Sequence, residues 1–326
     1  MTFVICPNLA LDHVLAADRL RPGGLTRCRM LRSQAGGKGA NVLRSTLALG
    51  GDGALVGFTA GRVGKVIDEL ARDEGLAFTT VSTEGEARVS TVVLTDDGGV
   101  TRLFERGPAV TPADEERLLA LAARRASAPR EWAVVTGAAP PGASPGFYAG
   151  LVRAARAGGH RVLVDAEGEQ LTGALSARPD LVKVNLAEAC TAVDGAAADC
   201  PDEKRAEPEA LVAEGLELCR RLVAAGAAEA ALTLGPAGAV AMLGGDVWHV
   251  TTPAVRAVNP VGSGDCFAAA LVLSLQRGDD TAAALRLAAA AGAANAASPF
   301  TGDVDPALAR ELAAAAHAHR RTTRSA

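Results

Sequence analysis

The run VNPVGSGDCFAAALVLSL, Val258 to Leu275, sets two glycines, a serine and an aspartate in front of an apolar helical stretch. Glycine lets a chain turn tightly, and the first N–H groups of a helix favour an anion. Gly262, Ser263 and Gly264 would therefore present successive N–H groups to a negatively charged ligand. Asp265 falls in the first helical turn, where it would favour the helix dipole and keep a low pKa. The same carboxylate could orient and deprotonate an attacking hydroxyl while the N–H groups meet a transferring phosphoryl group. These residues suit a plain helix cap and a phosphoryl-transfer site equally well.

Five other constellations carry weaker signals. AGGKGANV, Ala35 to Val42, opens a helix with glycines and adds the charge of Lys38. It suits an anion or a polar ligand held close to the backbone, but it lacks both the Walker A spacing and G-x-G-x-x-G. Asp12 follows the first strand-like run and could accept sugar hydroxyls, or simply form a turn. Arg88 and Arg102 lie on a predicted hairpin, where a guanidinium suits a phosphate and a solvated face suits neither ligand nor core. Asn185 and Glu188, three apart in VKVNLAEA, could hold the water shell of Mg²⁺. They equally form an Asn cap with a capping-box Glu, the reading favoured by the residues alone. In LTLGPAGAV, Gly235 and Gly238 punctuate a strand–turn–strand that either meets a nucleotide or merely turns.

The elements that must position these residues alternate. TFVIC, ALVGF, WAVVTG, HRVLVDA, DLVKVN and AALTLG read as buried strands. Helical patterns follow over residues 39–49, 64–74, 112–126, 145–157, 208–225 and 268–275, with Phe267, Leu271 and Leu275 on one face. Such alternation implies a parallel sheet with helices on both faces and a site at the strands' C-terminal ends. Two segments break it. Residues 86–106 read as a hairpin around Asp97-Gly98-Gly99, and residues 10–34 as strands around Pro22-Gly23-Gly24. Together they suggest a small antiparallel sheet, either a lid or an edge extension of the main sheet. Asp194 to Glu209 reads as a solvated excursion.

Composition excludes several classes. With 33 basic and 37 acidic residues the net charge is −4, and no basic run supports nucleic-acid binding. HAHRRTTR near the C-terminus reads as a fraying helix end, and His317 and His319, two apart, do not share a helix face and receive no metal role. The six cysteines show no Cys-x-x-Cys pair, which favours free thiols in a reducing compartment. No apolar run is long and glycine-free enough to span a bilayer, and TFVIC follows the initial Met without a charged leader, so a cytoplasmic protein is expected.

The order of the motifs is more specific than any one of them. GGKGAN, then NLAE, LGPAG and NPVGSGDCF resemble the PfkB (ribokinase-like) sugar-kinase family over nearly the whole chain. CPNLALDHV, EARVSTVVL, ERGPAVT, TGAAPPG and VLVDAEGEQL are similar to its phosphosugar branch: 1-phosphofructokinase, tagatose-6-phosphate kinase and the PfkB-type 6-phosphofructokinases. VNPVGSGD with AAGAANAASPFTG looks most like the tagatose-6-phosphate kinase side.

The resemblance implies a ribokinase-like three-layer α/β/α sandwich with a mostly parallel central sheet and a small β-sheet lid. Residues 1–9, 35–85 and 107–326 would form the main domain, and 10–34 and 86–106 the lid. It implies an ATP- and Mg²⁺-dependent kinase of a ketohexose phosphate, with a monovalent cation behind the glycine turn in some relatives and lids that pair in dimers. Asp265 would be the base and Gly262, Ser263 and Gly264 the anion hole. Asp12, Gly37, Lys38, Asn41 and Arg88 would hold the substrate. Lys183, Asn185, Thr233, Gly235, Gly238 and Asn295 would serve ATP, with Glu188 at Mg²⁺ through water. Two positions depart from the family pattern. Leu25 stands where the 6-phosphofructokinase branch tends to carry lysine, and Ala138 where a serine would contact substrate. Rival readings are a kinase of an unphosphorylated sugar or nucleoside and a non-catalytic sugar-phosphate sensor. A nicotinamide-dependent dehydrogenase is disfavoured, since no G-x-G-x-x-G follows the first strand.

Overall fold

A computed structural model describes residues 1–124, 131–195, 200–201, 206–251 and 253–321. Strands β1 (Thr2–Cys6), β2 (Ala10–Ala17) and β3 (Arg29–Gly36) lead into helix α1 (Lys38–Ala48). Next come β4 (Gly53–Ala60), α2 (Gly61–Asp73), β5 (Phe78–Thr83), β6 (Arg88–Thr95) and β7 (Val100–Phe104). The alternation resumes with α3 (Pro112–Arg124), β8 (Trp132–Thr136), α4 (Phe147–Ala157), β9 (Arg161–Asp165), α5 (Gly168–Leu175) and β10 (Leu181–Asn185). It continues through α6 (Leu186–Asp194), α7 (Pro208–Ala224), β11 (Glu229–Thr233), β12 (Ala239–Leu243) and β13 (Asp246–Val250). The chain closes with α8 (Ser263–Arg277), α9 (Thr281–Ala297), α10 (Pro306–Ala315) and β14 (Ala318–Arg321).

Ten strands form one sheet in the order β14-β13-β12-β11-β10-β9-β8-β1-β4-β5. Pairing is parallel from β5 to β11 and antiparallel from β11 to β14. Successive side chains of a strand point to opposite faces, and β1 shows what covers each. Val4 and Cys6 pack with Val42 and Leu43 of α1, Phe267 and Leu271 of α8 and Leu285 of α9. Phe3 and Ile5 pack with Leu118 of α3, Leu151 of α4, Leu171 of α5 and Leu218 of α7. This is a three-layer α/β/α sandwich. With so few aromatics the helices sit close: α9 buries Ala288 to Ala291 in succession against its neighbours.

The second sheet has the order β3-β2-β6-β7 and is mixed. β2 pairs with β3 and β6 with β7 antiparallel, but β2 and β6 run parallel, which corrects the expectation of an all-antiparallel sheet. The cause is connectivity: β6 is reached through α1, β4, α2 and β5, a crossover long enough to return the chain in the same direction. β3 runs two residues past the expected boundary, to Gly36, so its end abuts α1 directly.

Three expectations are corrected. HAHRR is not a helix end; Ala318–Arg321 pairs with β13, and His317 and His319 stack at 6.1 Å between centroids because alternate residues of an extended segment share a face. Cys190 and Cys200 are paired, so free thiols are confined to Cys6, Cys28, Cys219 and Cys266. α8 runs from Ser263 to Arg277, beyond the helical pattern at 268–275 at both ends, with Asp265 in its first turn as expected. The interior of the acidic excursion at 194–209 lies mostly outside the described residues. Among the described residues no helix is long and apolar enough to cross a membrane.

Candidate active site

The C-terminal ends of the parallel strands bring distant charges together. Asp165 closes β9 with no exposed surface, and Lys183 lies beside it on β10 at 3% exposure. The Lys183 ammonium donates to Asp165 Oδ2 at 2.9 Å, and Lys38, the first residue of α1, donates to Oδ1 at 2.8 Å. Lys38 also reaches Glu188 Oε1 at 3.2 Å. Burial raises the cost of the Asp165 charge, but the two ammonium groups outweigh it and hold the carboxyl well below the usual range. Burial likewise opposes the charge of Lys38, and Asp165 and Glu188 overcome it, raising its pKa well above that of a free lysine.

The capping-box reading of Asn185 and Glu188 holds. Asn185 Oδ1 accepts the Glu188 N–H at 2.8 Å and Glu188 Oε2 accepts the Asn185 N–H at 2.9 Å, a complete capping box for α6. The second Glu188 oxygen faces Lys38, so the cap aims a carboxylate at the charge cluster.

The turn before α8 behaves as its glycines require. Gly262 has φ 88°, a left-handed conformation that only glycine adopts readily, and no side chain caps the helix. The Ser263 N–H is taken up by Pro260 O at 3.2 Å. Those of Gly264 and Asp265 have no acceptor among the described residues. A Cβ placed on Gly264 would lie 2.7 Å from the Lys183 ammonium, so that cation sits against the turn.

Asp265 is 5% exposed and accepts from Asn41 Nδ2 at 2.9 Å. Its carboxyl is not acidic, as the helix-dipole argument predicts, but pushed up to about 7. Burial is the main cause, and the neighbouring Asp165 charge adds to it; Lys38, the Asn41 hydrogen bond and Lys183 recover only part. A low-dielectric seat beside a second carboxylate thus outweighs the helix dipole.

Asp12, on β2, is buried at the end of the small sheet. It accepts the Gly37 N–H at 3.4 Å and the Thr301 hydroxyl at 3.5 Å, and burial raises its pKa to about 6 against the pull of Arg88 and Arg44. A Cβ on Gly36 would lie 2.0 Å from Asp12 Cγ, which is why glycine stands there. Arg88, half-buried at the start of β6, donates Nε and Nη2 to Asn8 O at 3.3 and 3.0 Å; its Nη1 has no partner among the described residues. Arg102 is exposed on β7 and is not brought to this site.

Asn295 is fully buried, and its amide is taken up by protein. Nδ2 donates to Val261 O at 3.0 Å and Ser263 Oγ at 3.1 Å, and Oδ1 accepts the Asp303 N–H at 3.2 Å. It therefore braces the glycine turn. Thr233 pairs with Asn185 across the sheet, and Gly235 opens the 3₁₀ turn Gly235–Ala237. A Cβ on Gly238 would lie 2.0 Å from Val250 O, so close backbone approach explains that glycine without a ligand.

Sequence reasoning missed several residues of the site. Asp165 had a readable signal: an acid closing an apolar strand in a parallel sheet. Asn8, Gln34, Arg44, Glu74 and Thr301 had none, since their partners lie far away in sequence. Among the described residues Asn8 Oδ1, Gln34 Oε1 and Thr136 Oγ1 are buried without a partner; Thr136 ends β8 beside Asp165 of β9, and Asn8 follows β1.

Comparison with known proteins supplies the context. The model of pfkB family carbohydrate kinases matches residues 1–308. A 1-phosphofructokinase from Haloferax volcanii is 31% identical over 288 residues, covering 88% of each chain. A tagatose-6-phosphate kinase from Staphylococcus epidermidis is 26% identical, covering 94% of each. Phosphofructokinase-2 from Escherichia coli, solved in complex with potassium, superposes with a TM-score of 0.85 at 25% identity, over 96% of this chain and 98% of that one. Sequence and fold agree along nearly the whole length, and the chain belongs to the pfkB family of carbohydrate kinases.

Proposed function

We propose that the protein transfers a phosphoryl group from ATP to a hydroxyl of a ketohexose phosphate, giving a bisphosphate and ADP. Fructose-1-phosphate, fructose-6-phosphate and tagatose-6-phosphate are the candidate acceptors, matching the names of the similar kinases. The observation that carries the reading is the seat of Asp265. It is a buried carboxyl near neutral pKa, held by Asn41 at a helix N-terminus whose Gly264 and Asp265 N–H groups lack protein acceptors.

In this reading Asp265 takes the proton of the attacking hydroxyl, and a pKa near the working pH suits a general base. The free N–H groups and the adjacent Lys183 meet the charge that develops on the transferred group. Asp12 and Asn41 orient the sugar, and Arg88 turns its unpaired Nη1 to the sugar's existing phosphate. The small sheet acts as a lid that excludes water.

Magnesium is placed in this reading at Glu188 and Asn185, although the free Glu188 oxygen also meets Lys38. Among the described residues no three acids, histidines or cysteines cluster to hold a metal unaided, and Glu188 and Asn185 already share a capping box. These two would hold the ion through water, which suits an octahedral cation that keeps several waters and rides on phosphates. When bound, Mg²⁺ neutralises charge on the phosphate oxygens. We extend the proposal to a monovalent cation behind the glycine turn, to be tested by potassium dependence, since one similar structure is a potassium complex.

The lid also supports a homodimer. Leu25, Met30, Leu103 and Phe104 are 69, 48, 58 and 53% exposed, and all belong to the small sheet or its connecting loop. Exposed apolar side chains of this kind are what a protein interface would use. Light scattering of the wild type against a Leu103→Asp, Phe104→Asp variant tests it.

A coupled ADP-release assay across the three phosphosugars and their unphosphorylated parents tests the main reading. Turnover confined to one or more phosphosugars supports it. Turnover of a free sugar or nucleoside alone, or none at all, overturns it in favour of the rival kinase or sensor.

A further inference from the structure

Beyond the groups that would touch substrate, one arginine links the base of the small sheet to the catalytic carboxylate. Arg44 lies on α1, one helical turn after Asn41. Its Nε and Nη2 donate to Glu74 Oε2 at 2.8 and 2.6 Å, and Nη2 also donates to Ala35 O at 2.6 Å. The other Glu74 oxygen accepts the Ala35 N–H at 2.9 Å. The pair thus clasps both polar groups of Ala35, the residue before the Gly36-Gly37 junction between β3 and α1. Arg44 Nη1 turns inward, to Asn41 Oδ1 at 3.3 Å and Thr301 O at 3.5 Å.

The consequence concerns which end of the Asn41 amide faces Asp265. A guanidinium can only donate, and an ionised carboxylate can only accept. With Arg44 on one side and ionised Asp265 on the other, only one orientation satisfies both: Oδ1 toward Arg44 and Nδ2 toward Asp265. The reversed amide would set its oxygen against a carboxylate and its N–H groups against a cation. Arg44 is 13% exposed in its side chain and Glu74 25%, so water reaches the pair in part.

We propose that Arg44, held by Glu74, is a positioning residue that locks the Asn41 amide as a donor to Asp265. The proposal rests on the reading of Asp265 as the base. The other groups facing Asp265 are Lys38 from α1, Asp165 from β9, Lys183 from β10 and the buried thiols of Cys6 and Cys266, and Arg44 hydrogen-bonds none of them. Loss of Arg44 frees the Asn41 amide and loosens its hydrogen bond to Asp265, which favours the protonated acid. Arg44 also lowers the pKa of Asp12 by its charge, a separate effect on sugar binding.

The test is the pH profile of kcat for the wild type, Arg44→Ala, Asn41→Ala and the double variant, with thermal unfolding measured alongside. The acid limb of Arg44→Ala moves up by about one pH unit, the scale of one lost hydrogen bond to a charged group. The double variant shows the limb of Asn41→Ala alone, because Arg44 acts through that amide. Glu74→Gln, which keeps an acceptor for Arg44, moves the limb less than Arg44→Ala. An unmoved limb in Arg44→Ala, or additive shifts in the double variant, overturns the proposal. If the wild type phosphorylates no sugar, the kinase reading fails instead. The Asp265 carboxyl titration, followed by ¹³C NMR against an Asp265→Asn reference, then decides the Arg44 role independently.

Discussion

Lys183 and Asp165 form an ion pair with almost no exposure, 2.9 Å between ammonium and carboxylate. Removing one partner from such a pair strands a charge in low dielectric. Asp165→Asn leaves Lys38 and Lys183 facing each other without their shared counter-charge. We expect a loss of about 3 kcal/mol or more in chemical denaturation. The sign of the pH dependence follows from the depressed pKa of Asp165. Its contribution is full above the unfolded carboxyl value near 4 and is lost as pH falls through about 2. Wild-type acid unfolding should show this loss, and Asp165→Asn should not.

Asp265 has the opposite sign. Its folded pKa of about 7 lies above the unfolded value, so ionising it costs stability as pH rises from about 4 through 7. Asp265→Asn keeps an acceptor for Asn41 and removes that cost. The variant should unfold at a higher temperature than wild type at pH 8 and at a similar one at pH 4. Turnover should fall about 10²- to 10⁴-fold, the usual worth of a positioned base. A variant that is no more stable at pH 8 would show that Asp265 is ionised without penalty.

The place of Asp265 was legible in the sequence and its acidity was not. Glycines before an apolar run announce a helix N-terminus, and a helix N-terminus lowers the pKa of an acid. That argument is local. The groups that reverse it, Asp165 and the enclosing core, arrive through the sheet topology. The same holds for the small sheet: alternation and Asp97-Gly98-Gly99 locate its hairpin, but the parallel β2–β6 pairing depends on a crossover no local pattern encodes. α9 hid for another reason. Alanine on every side leaves no apolar stripe to read, because the helix is buried on several faces at once. β14 is four residues of an edge strand rich in His and Arg, which resembles a cationic helix end.

Gly36 offers a probe of Asp12 that leaves Asp12 in place. The backbone at Gly36 is outside the left-handed region, so alanine is conformationally acceptable there. Its Cβ would nevertheless lie 2.0 Å from Asp12 Cγ, and the carboxyl must move. Gly36→Ala should therefore raise KM for the sugar about as much as Asp12→Ala does, with KM for ATP little changed. The comparison is by initial rates with each substrate varied in turn. A Gly36→Ala enzyme with normal sugar KM would remove Asp12 from the sugar site.

Variants of Arg88 test whether the substrate is a phosphorylated or a free sugar. It enters from β6 and is fixed by two hydrogen bonds to Asn8 O, which leave Nη1 without a partner among the described residues. A half-buried guanidinium whose hydrogen bonds go to a neutral carbonyl keeps a charged donor for a ligand phosphate. Arg88→Ala removes that charge and the clasp on Asn8 together, so Arg88→Lys is the needed companion: it restores charge without the planar fork. Arg88→Ala should raise KM for the phosphosugar by about tenfold or more, the scale of one charge-assisted hydrogen bond, and KM for ATP far less. Arg88→Lys should fall between. Inorganic phosphate should compete with the sugar in the wild type and lose that competition in Arg88→Ala. Equal rises in KM for both substrates would assign Arg88 to holding Asn8 and the strand end, and would return the choice of substrate to the unphosphorylated sugar.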